Sequence, residues 1–169
     1  TKLWEKSSLE KRILLKHLSI KKTFNFNNLH FLNQVHSSNV IEIKNLDFKE
    51  KVSADAMVTK TPGVVLCILT ADCAPILFYE KKNNVIAIAH VGWKGAIDGI
   101  IKKTIDKMIK VGAEKRKIIA VVGPCISKKN YSVKNDFFKI FTNKSSKNKV
   151  FFKKLQENNF LFDFPFFIK

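Results

Sequence analysis

Three side chains able to hold a borderline metal stand along the chain: His36 in LNQVHSSNV, Cys73 in TADCAPILFYE and His90 in NVIAIAHVGWKG. A His, Cys, His set would suit zinc in a catalytic arrangement, with three protein ligands and a fourth position open to water or substrate. Such an ion lowers the pKa of bound water or polarises a substrate oxygen. The spacing alone is not diagnostic, because cysteines and histidines beside apolar runs are also ordinary core residues. On the residues alone, both readings stand. Asp72, adjacent to Cys73, reads either as an acid that orients a ligand and passes protons or as a turn residue bonding backbone amides. Asp55, in SADAMVT, reads as a turn or strand-end residue. Cys67, inside GVVLCIL, reads as core, and Cys125, in VVGPCIS, as structural. His17 and His30 lie in lysine-rich context and read as surface residues.

These candidates depend on the elements that carry them. GVVLCIL, APILFYE and NVIAIAH are short apolar runs rich in β-branched residues, with KKNN as a hairpin-type turn between the last two. Their continuous apolar character predicts strands covered on both faces. Cys73 and His90 then fall at strand-to-loop junctions, where side chains become available to ligands. The glycines of VGWKG let the backbone turn tightly or approach a ligand closely. NVIEIKN alternates as a strand, with His36 just before it. After Trp93 the period changes. Ile97, Ile100, Ile101, Ile105, Met108 and Ile109 share one stripe of an amphipathic helix that Gly112 would cap. KIIAVVGP reads as a further strand, VKNDFFKIFTN as a second helix and SSLEKRILLKHL as an N-terminal one. FDFPFFIK carries apolar residues without an evident partner element. The order of elements predicts a single layered α/β domain over residues 1–169, with mixed β-sheet and flanking helices.

Composition narrows the function. The 169 residues carry a net charge of +17, which invites a nucleic-acid reading. Arg12 and Arg116 are the only arginines, however, and the lysines are spread along the chain rather than gathered on a stripe. Arginine is the better residue for bidentate reading of phosphates and base edges, so no specific nucleic-acid partner is expected. Three cysteines argue against a disulfide framework. No apolar run is long enough to span a membrane, and the charged N-terminus lacks a signal-peptide core. A cytoplasmic monomer with no membrane partner is expected. The chain begins with threonine, as a trimmed or truncated start would.

Five blocks occur in order: QVH at 34–36, ADAMVT at 54–59, LTADCAPILFYE at 69–80, IAHVGWKGAIDGI at 88–100 and VGPCISKKNYSV at 122–133. From Leu32 to Val133 the chain thereby resembles the laccase-domain, YfiH-like family of multifunctional purine nucleoside enzymes. The resemblance implies a mononuclear Zn2+ site at His36, Cys73 and His90. It also implies a fold similar to the catalytic domain of cytotoxic necrotising factor. The activity it implies is phosphorolysis of adenosine, inosine, guanosine and methylthioadenosine, with adenosine deaminase activity as well. Purine nucleosides and phosphate would be the partners, with Asp72 and Lys94 as catalytic residues.

Members of the family also carry the labels polyphenol oxidase and peptidoglycan-editing factor, the latter acting on muropeptide precursors. Four histidines cannot supply the imidazoles of a multicopper oxidase. Two departures stand out. Lys94 occupies the place in GWKG where the family usually has arginine, keeping the charge but losing the planar fork. The family's N-terminal glycine-rich and C-terminal Cys-Thr segments have no counterpart. The alternatives are therefore a peptidoglycan-editing enzyme acting on muropeptide precursors, or a truncated, non-catalytic remnant.

Overall fold

The computed structural model describes residues 28–47 and 52–169. The helix expected over SSLEKRILLKHL, and His17 within it, lie outside the described residues. In chain order the strands are β1 (Leu29–Phe31), β2 (Val40–Glu42), β3 (Ala56–Thr59), β4 (Val65–Cys67), β5 (Ala74–Glu80), β6 (Val85–Val91) and β7 (Ile119–Val122). They are followed by β8 (Ser132–Lys134), β9 (Phe152–Gln156) and β10 (Asn159–Phe162). The helices are α1 (Trp93–Ile97), α2 (Ile100–Val111), α3 (Asn135–Lys144) and α4 (Phe164–Phe167). A five-stranded sheet in the order β2-β3-β6-β5-β7 forms the centre, and only its β2–β3 pair is parallel. A three-stranded antiparallel sheet, β8-β10-β9, and a parallel pair, β1-β4, complete the mixed α/β architecture.

The β5–β6 hairpin is the spine of the sheet. Its register sets Pro75 opposite His90 and Ala74 opposite Val91, so the segments bearing Cys73 and His90 leave the sheet at one end. The KKNN turn closes the other end, with Asn84 at a left-handed φ of 53°. Ala74, Ile76, Phe78 and Glu80 of β5 all point inward, because side chains alternate along a strand. Ile100, Thr104 and Met108 of α2 are buried at four-residue spacing in the same core as Ile76, Phe78, Ala87 and Ala89. The segment after Trp93 is not one helix. Gly99, at φ 81°, breaks it into α1 and α2, while Gly112, at φ 118°, ends α2 as expected. Within α2 the buried stripe runs through Ile100, Thr104, Met108 and Val111, while Ile109 is 37% exposed.

The expectation that the apolar strands are covered on both faces holds for β6, whose Ile88 packs on a second core of Ile43, Met57 and Val64, and fails for β5. Leu77 and Tyr79 of β5 are exposed, as are their partners Val121 and Ile119 on β7. On this face the apolar residues of β5 and β7 lie beside one another across the strand pair. Cys67, expected in the core, is half-buried on β4, and His30, expected on the surface, is buried on β1.

FDFPFFIK has partners after all. Phe141 of α3, Phe162 of β10 and Phe164 of α4 are fully buried, joined by Trp93, Tyr131, Phe137 and Phe152 in edge-to-face, tilted and stacked ring contacts. Such pairs contribute roughly 0.5–1.5 kcal/mol each beyond their burial. Asp163 caps α4 by accepting from the Phe166 amide. This aromatic core extends to Trp93 and thereby supports the loops at the open end of the β5–β6 hairpin.

Candidate metal centre

His36, Cys73 and His90 converge. Their ligand atoms all lie within 4.8 Å of one another, and His36 Nε2 stands 3.6 Å from Cys73 Sγ. Two atoms bonded to one zinc at about 2.0 and 2.3 Å, at a tetrahedral angle, sit roughly 3.5 Å apart, so that separation suits a shared ion. The two imidazoles meet edge to face, with ring centroids 4.8 Å apart. His90 is buried, Cys73 half-buried and His36 exposed, which leaves one side open for a substrate.

Each ligand is brought there by a different device. Cys73 immediately precedes β5, and His90 lies near the end of β6. His36 sits on the loop between β1 and β2 at φ 58°, an unusual conformation for a residue with a Cβ. The Gln34 side-chain amide ties that loop to the segment before Cys73. It donates to the Leu69 carbonyl at 2.8 Å and accepts from the Leu69 amide at 2.8 Å, as a strand partner would. The glycines of VGWKG serve close approach. A Cβ at Gly92 would stand 2.7 Å from His36 Cδ2 and 3.2 Å from Cys73 Sγ, and one at Gly95 would stand 2.6 Å from the Ser37 carbonyl.

Asp55 is the strand-end residue expected, its side chain bonding backbone amides, and it does more than that. It is fully buried at the start of β3. Its Oδ1 accepts from His90 Nδ1 at 2.8 Å and from the His36 amide at 3.0 Å. Its Oδ2 accepts from the Val35 amide, the Ser37 amide and the Ser37 hydroxyl at 3.3, 2.6 and 2.7 Å. Burial pushes its pKa up, but the bonds from His90 and Ser37, with that from His36, outweigh burial and hold it below the ordinary carboxylate value. An ionised carboxylate only accepts hydrogen bonds, so His90 Nδ1 donates this one and Nε2 is the ring nitrogen left to meet a ligand. The signal was present in the sequence. A charged residue within the small, apolar run ADAMV must be paired if that run is buried.

Burial raises the Cys73 thiol above its ordinary value, and the nearby charges of Asp72, Asp55 and Cys125 push it further in the same direction. A cation reverses that balance, because a coordinating thiol deprotonates. The donor set, the free His90 nitrogen and the acidic surroundings all fit a divalent metal.

Asp72 is exposed and stands between two adjoining pockets. One, of about 130 Å³, is lined by Asp72, Cys73, Trp93, Ile126, Tyr131 and Phe164. The other, wider and more polar, includes Asp72, Cys125, Ser127 and Asn130. Burial, then the charges of Cys73 and Asp72, push the Tyr131 phenol up to about 12. Lys94 is exposed on α1, with its Nζ 5.6 Å from the centroid of the neighbouring Trp93 ring. Cys125 is half-buried against the core, where a structural residue belongs, and lines the polar pocket as well.

The family described as multi-copper polyphenol oxidoreductase laccase matches residues 10–169. The chain belongs to this family. Its relatives include purine nucleoside phosphorylases of Rickettsia prowazekii, 35% identical over 95% of this chain, and of Deinococcus radiodurans, 44% identical over 62% of it. The chain spans 66% of the length of the Rickettsia protein and 40% of the Deinococcus one. Among solved structures, the Neisseria meningitidis protein NMB0706 superposes with a TM-score of 0.82 at 25% identity, covering 99% of this chain and 66% of its own. The Bacillus licheniformis hypothetical protein YfiH gives 0.83 at 22% identity over 94% of this chain and 64% of its own, a likeness of fold. The laccase-family fold is thus present, and so is a cluster able to hold one metal. Among the described residues, no helix is long and apolar enough to cross a membrane.

Proposed function

We propose that the chain is a zinc-dependent purine nucleoside phosphorylase with adenosine deaminase activity, acting at His36, Cys73 and His90. The observation that carries this reading is the convergence of those three ligand atoms within 4.8 Å beside an open, aromatic-lined pocket. The names of the relatives support the substrate class. When bound, the ion supplies Lewis-acid stabilisation of charge developing on the purine or on an attacking oxygen.

The chain's own residues supply binding and proton traffic. Trp93 and Tyr131 offer ring faces to a flat base in the smaller pocket. Ser127 and Asn130, in the polar pocket, offer hydrogen-bonding groups to ribose hydroxyls. Lys94, exposed beside Trp93, would contribute a positive charge for phosphate, as a point charge rather than a fork. In phosphorolysis a phosphate oxygen bonds to the ribose C1′ as the bond from C1′ to the purine nitrogen breaks. The departing base then takes up a proton. In deamination water adds to the purine carbon and ammonia leaves, with Asp72 carrying the proton from the water to the leaving amine.

The test is metal content of the purified protein together with product analysis. The expected result is about one zinc per chain, with hypoxanthine from inosine plus phosphate and with adenine or inosine from adenosine. A metal-loaded protein that turns over none of these would leave a metal-binding remnant. A protein that takes up no metal would end both readings.

A further inference from the structure

We propose that Asp55 is a positioning residue that builds the metal site before any ion arrives, by locking the His90 tautomer and the His36 loop with one carboxylate. The inference rests on the reading that His36, Cys73 and His90 hold a divalent metal, and it adds the group that makes two of those ligands competent.

Five donors from two separate segments meet the two Asp55 oxygens. Four come from the loop at residues 35–37, and the fifth is the His90 ring. The His90 main chain is held by the same residue, since its amide donates to the Asp55 carbonyl at 2.7 Å. Ser37 extends the set, its hydroxyl accepting from the Asn39 amide at 3.2 Å while donating to Asp55. Only an acceptor with two equivalent oxygens satisfies all five donors. In asparagine one oxygen becomes an amide that faces either the loop amides or the imidazole N–H.

The arrangement has two consequences for the ligands. His36 keeps its left-handed φ of 58° because its own amide and both neighbouring ones are bonded to a fixed anion. Conformations of this kind cost about 1–3 kcal/mol and persist only when their surroundings over-determine them. His90 is fixed in ring orientation and tautomer, with Nε2 free. A carboxylate behind a metal-binding histidine also raises the basicity of the ligand, and its removal weakens metal binding by about 10- to 100-fold.

The experiment measures zinc affinity by competition with a chromophoric chelator, and cobalt ligand-field spectra, for the wild type, Asp55→Asn, Ser37→Ala and Glu80→Gln. Glu80 is a second fully buried carboxylate, at the turn end of the β5–β6 hairpin and away from His90, so its variant controls for general loss of stability. The expected result is a 10- to 100-fold loss of affinity in Asp55→Asn, with an altered cobalt spectrum. Ser37→Ala should lose less than Asp55→Asn, because it removes one of the five donors and leaves the anion in place. Glu80→Gln should bind as the wild type does. Equal losses in Asp55→Asn and Glu80→Gln, or wild-type affinity in both Asp55→Asn and Ser37→Ala, would overturn the proposal while leaving the metal reading intact. Should Asp55→Asn fail to fold, Ser37→Ala decides. A wild-type protein that binds neither metal overturns the metal reading itself.

Discussion

The two ends of the β5–β6 hairpin each bury a carboxylate completely, and the two carboxylates do different things. Glu80, at the turn, accepts from the Lys82 amide at 2.7 Å and from the Asn83 amide and side chain at 3.0 Å each. Asp55, at the open end, accepts across sequence separations of 18 to 35 residues, and one of its donors is an imidazole. A buried anion satisfied by the next few residues closes a turn. A buried anion satisfied by a distant loop and a distant ring holds those pieces in register with each other. The range of the partners, rather than burial, separates a structural carboxylate from one that prepares a site.

The largest expected effect comes from the ligands at the open end. Cys73→Ala removes the only sulfur in the cluster and should reduce bound zinc from about one per chain to near zero. The fold should survive, because Cys73 is half-buried and the neighbouring core begins at Ala74. Metal analysis beside a thermal melt separates the two effects. Retention of full metal content in this variant would mean that the three side chains meet for packing alone.

Next comes Gly92→Ala. The added methyl would stand 2.7 Å from His36 Cδ2 and 3.2 Å from Cys73 Sγ, so one or both ligands must shift. The expected outcome is a clear drop in zinc affinity, smaller than the loss in Cys73→Ala, with secondary structure unchanged by circular dichroism. Gly112→Ala acts where nothing lies near the added methyl. Its cost is backbone strain at φ 118°, so it should lower the melting temperature and leave metal affinity alone.

The contrast also explains what the sequence disclosed. The hairpin, its turn, α2 with its Gly112 cap and the strand-end position of Cys73 and His90 were all legible, because apolar periodicity and turn residues are local signals. The convergence of His36 with the other two was carried by the ordered family motifs and not by spacing, since the parallel β2–β3 pairing that brings its loop near His90 has no local signature. For Asp55 the strand-end role was legible and the bond to His90 was not, since that partner lies 35 residues away. The open β5–β7 face was hidden because a strand reads as apolar whether or not anything covers it. Leu77 and Ile76 look alike in sequence, yet they are 50% and 2% exposed.

At the turn end the effects fall on stability. Burial pushes Glu80 upward, but bonds from the Lys82 and Asn83 amides and the Asn83 side chain outweigh it, and the group titrates below its ordinary value of 4.5. A carboxylate depressed in the folded state contributes stability above its unfolded pKa and loses it as pH falls through the folded value. Chemical denaturation of the wild type should therefore show stability declining below about pH 4.5. Glu80→Gln should be less stable at neutral pH, with a shallower acid decline. An identical acid profile in the two proteins would remove Glu80 from the account.

The smallest effect is expected one step outward, at Lys82. Its ammonium pairs with Glu114, and Lys117 reaches the other Glu114 oxygen at 2.7 Å. The bonds from Lys117 and Lys82 hold the Glu114 carboxyl down at about 2. All three side chains are nevertheless well exposed, and pairs in that setting are screened by water and salt. Lys82→Ala leaves Glu114 its Lys117 partner, and the Lys82 amide still donates to Glu80, because that bond belongs to the backbone. The melting temperature should be unchanged within error at moderate salt and zinc affinity identical to the wild type. A large loss would mean that the turn is held by its surface charges, and the distinction drawn between Glu80 and Asp55 would then rest on the wrong partners.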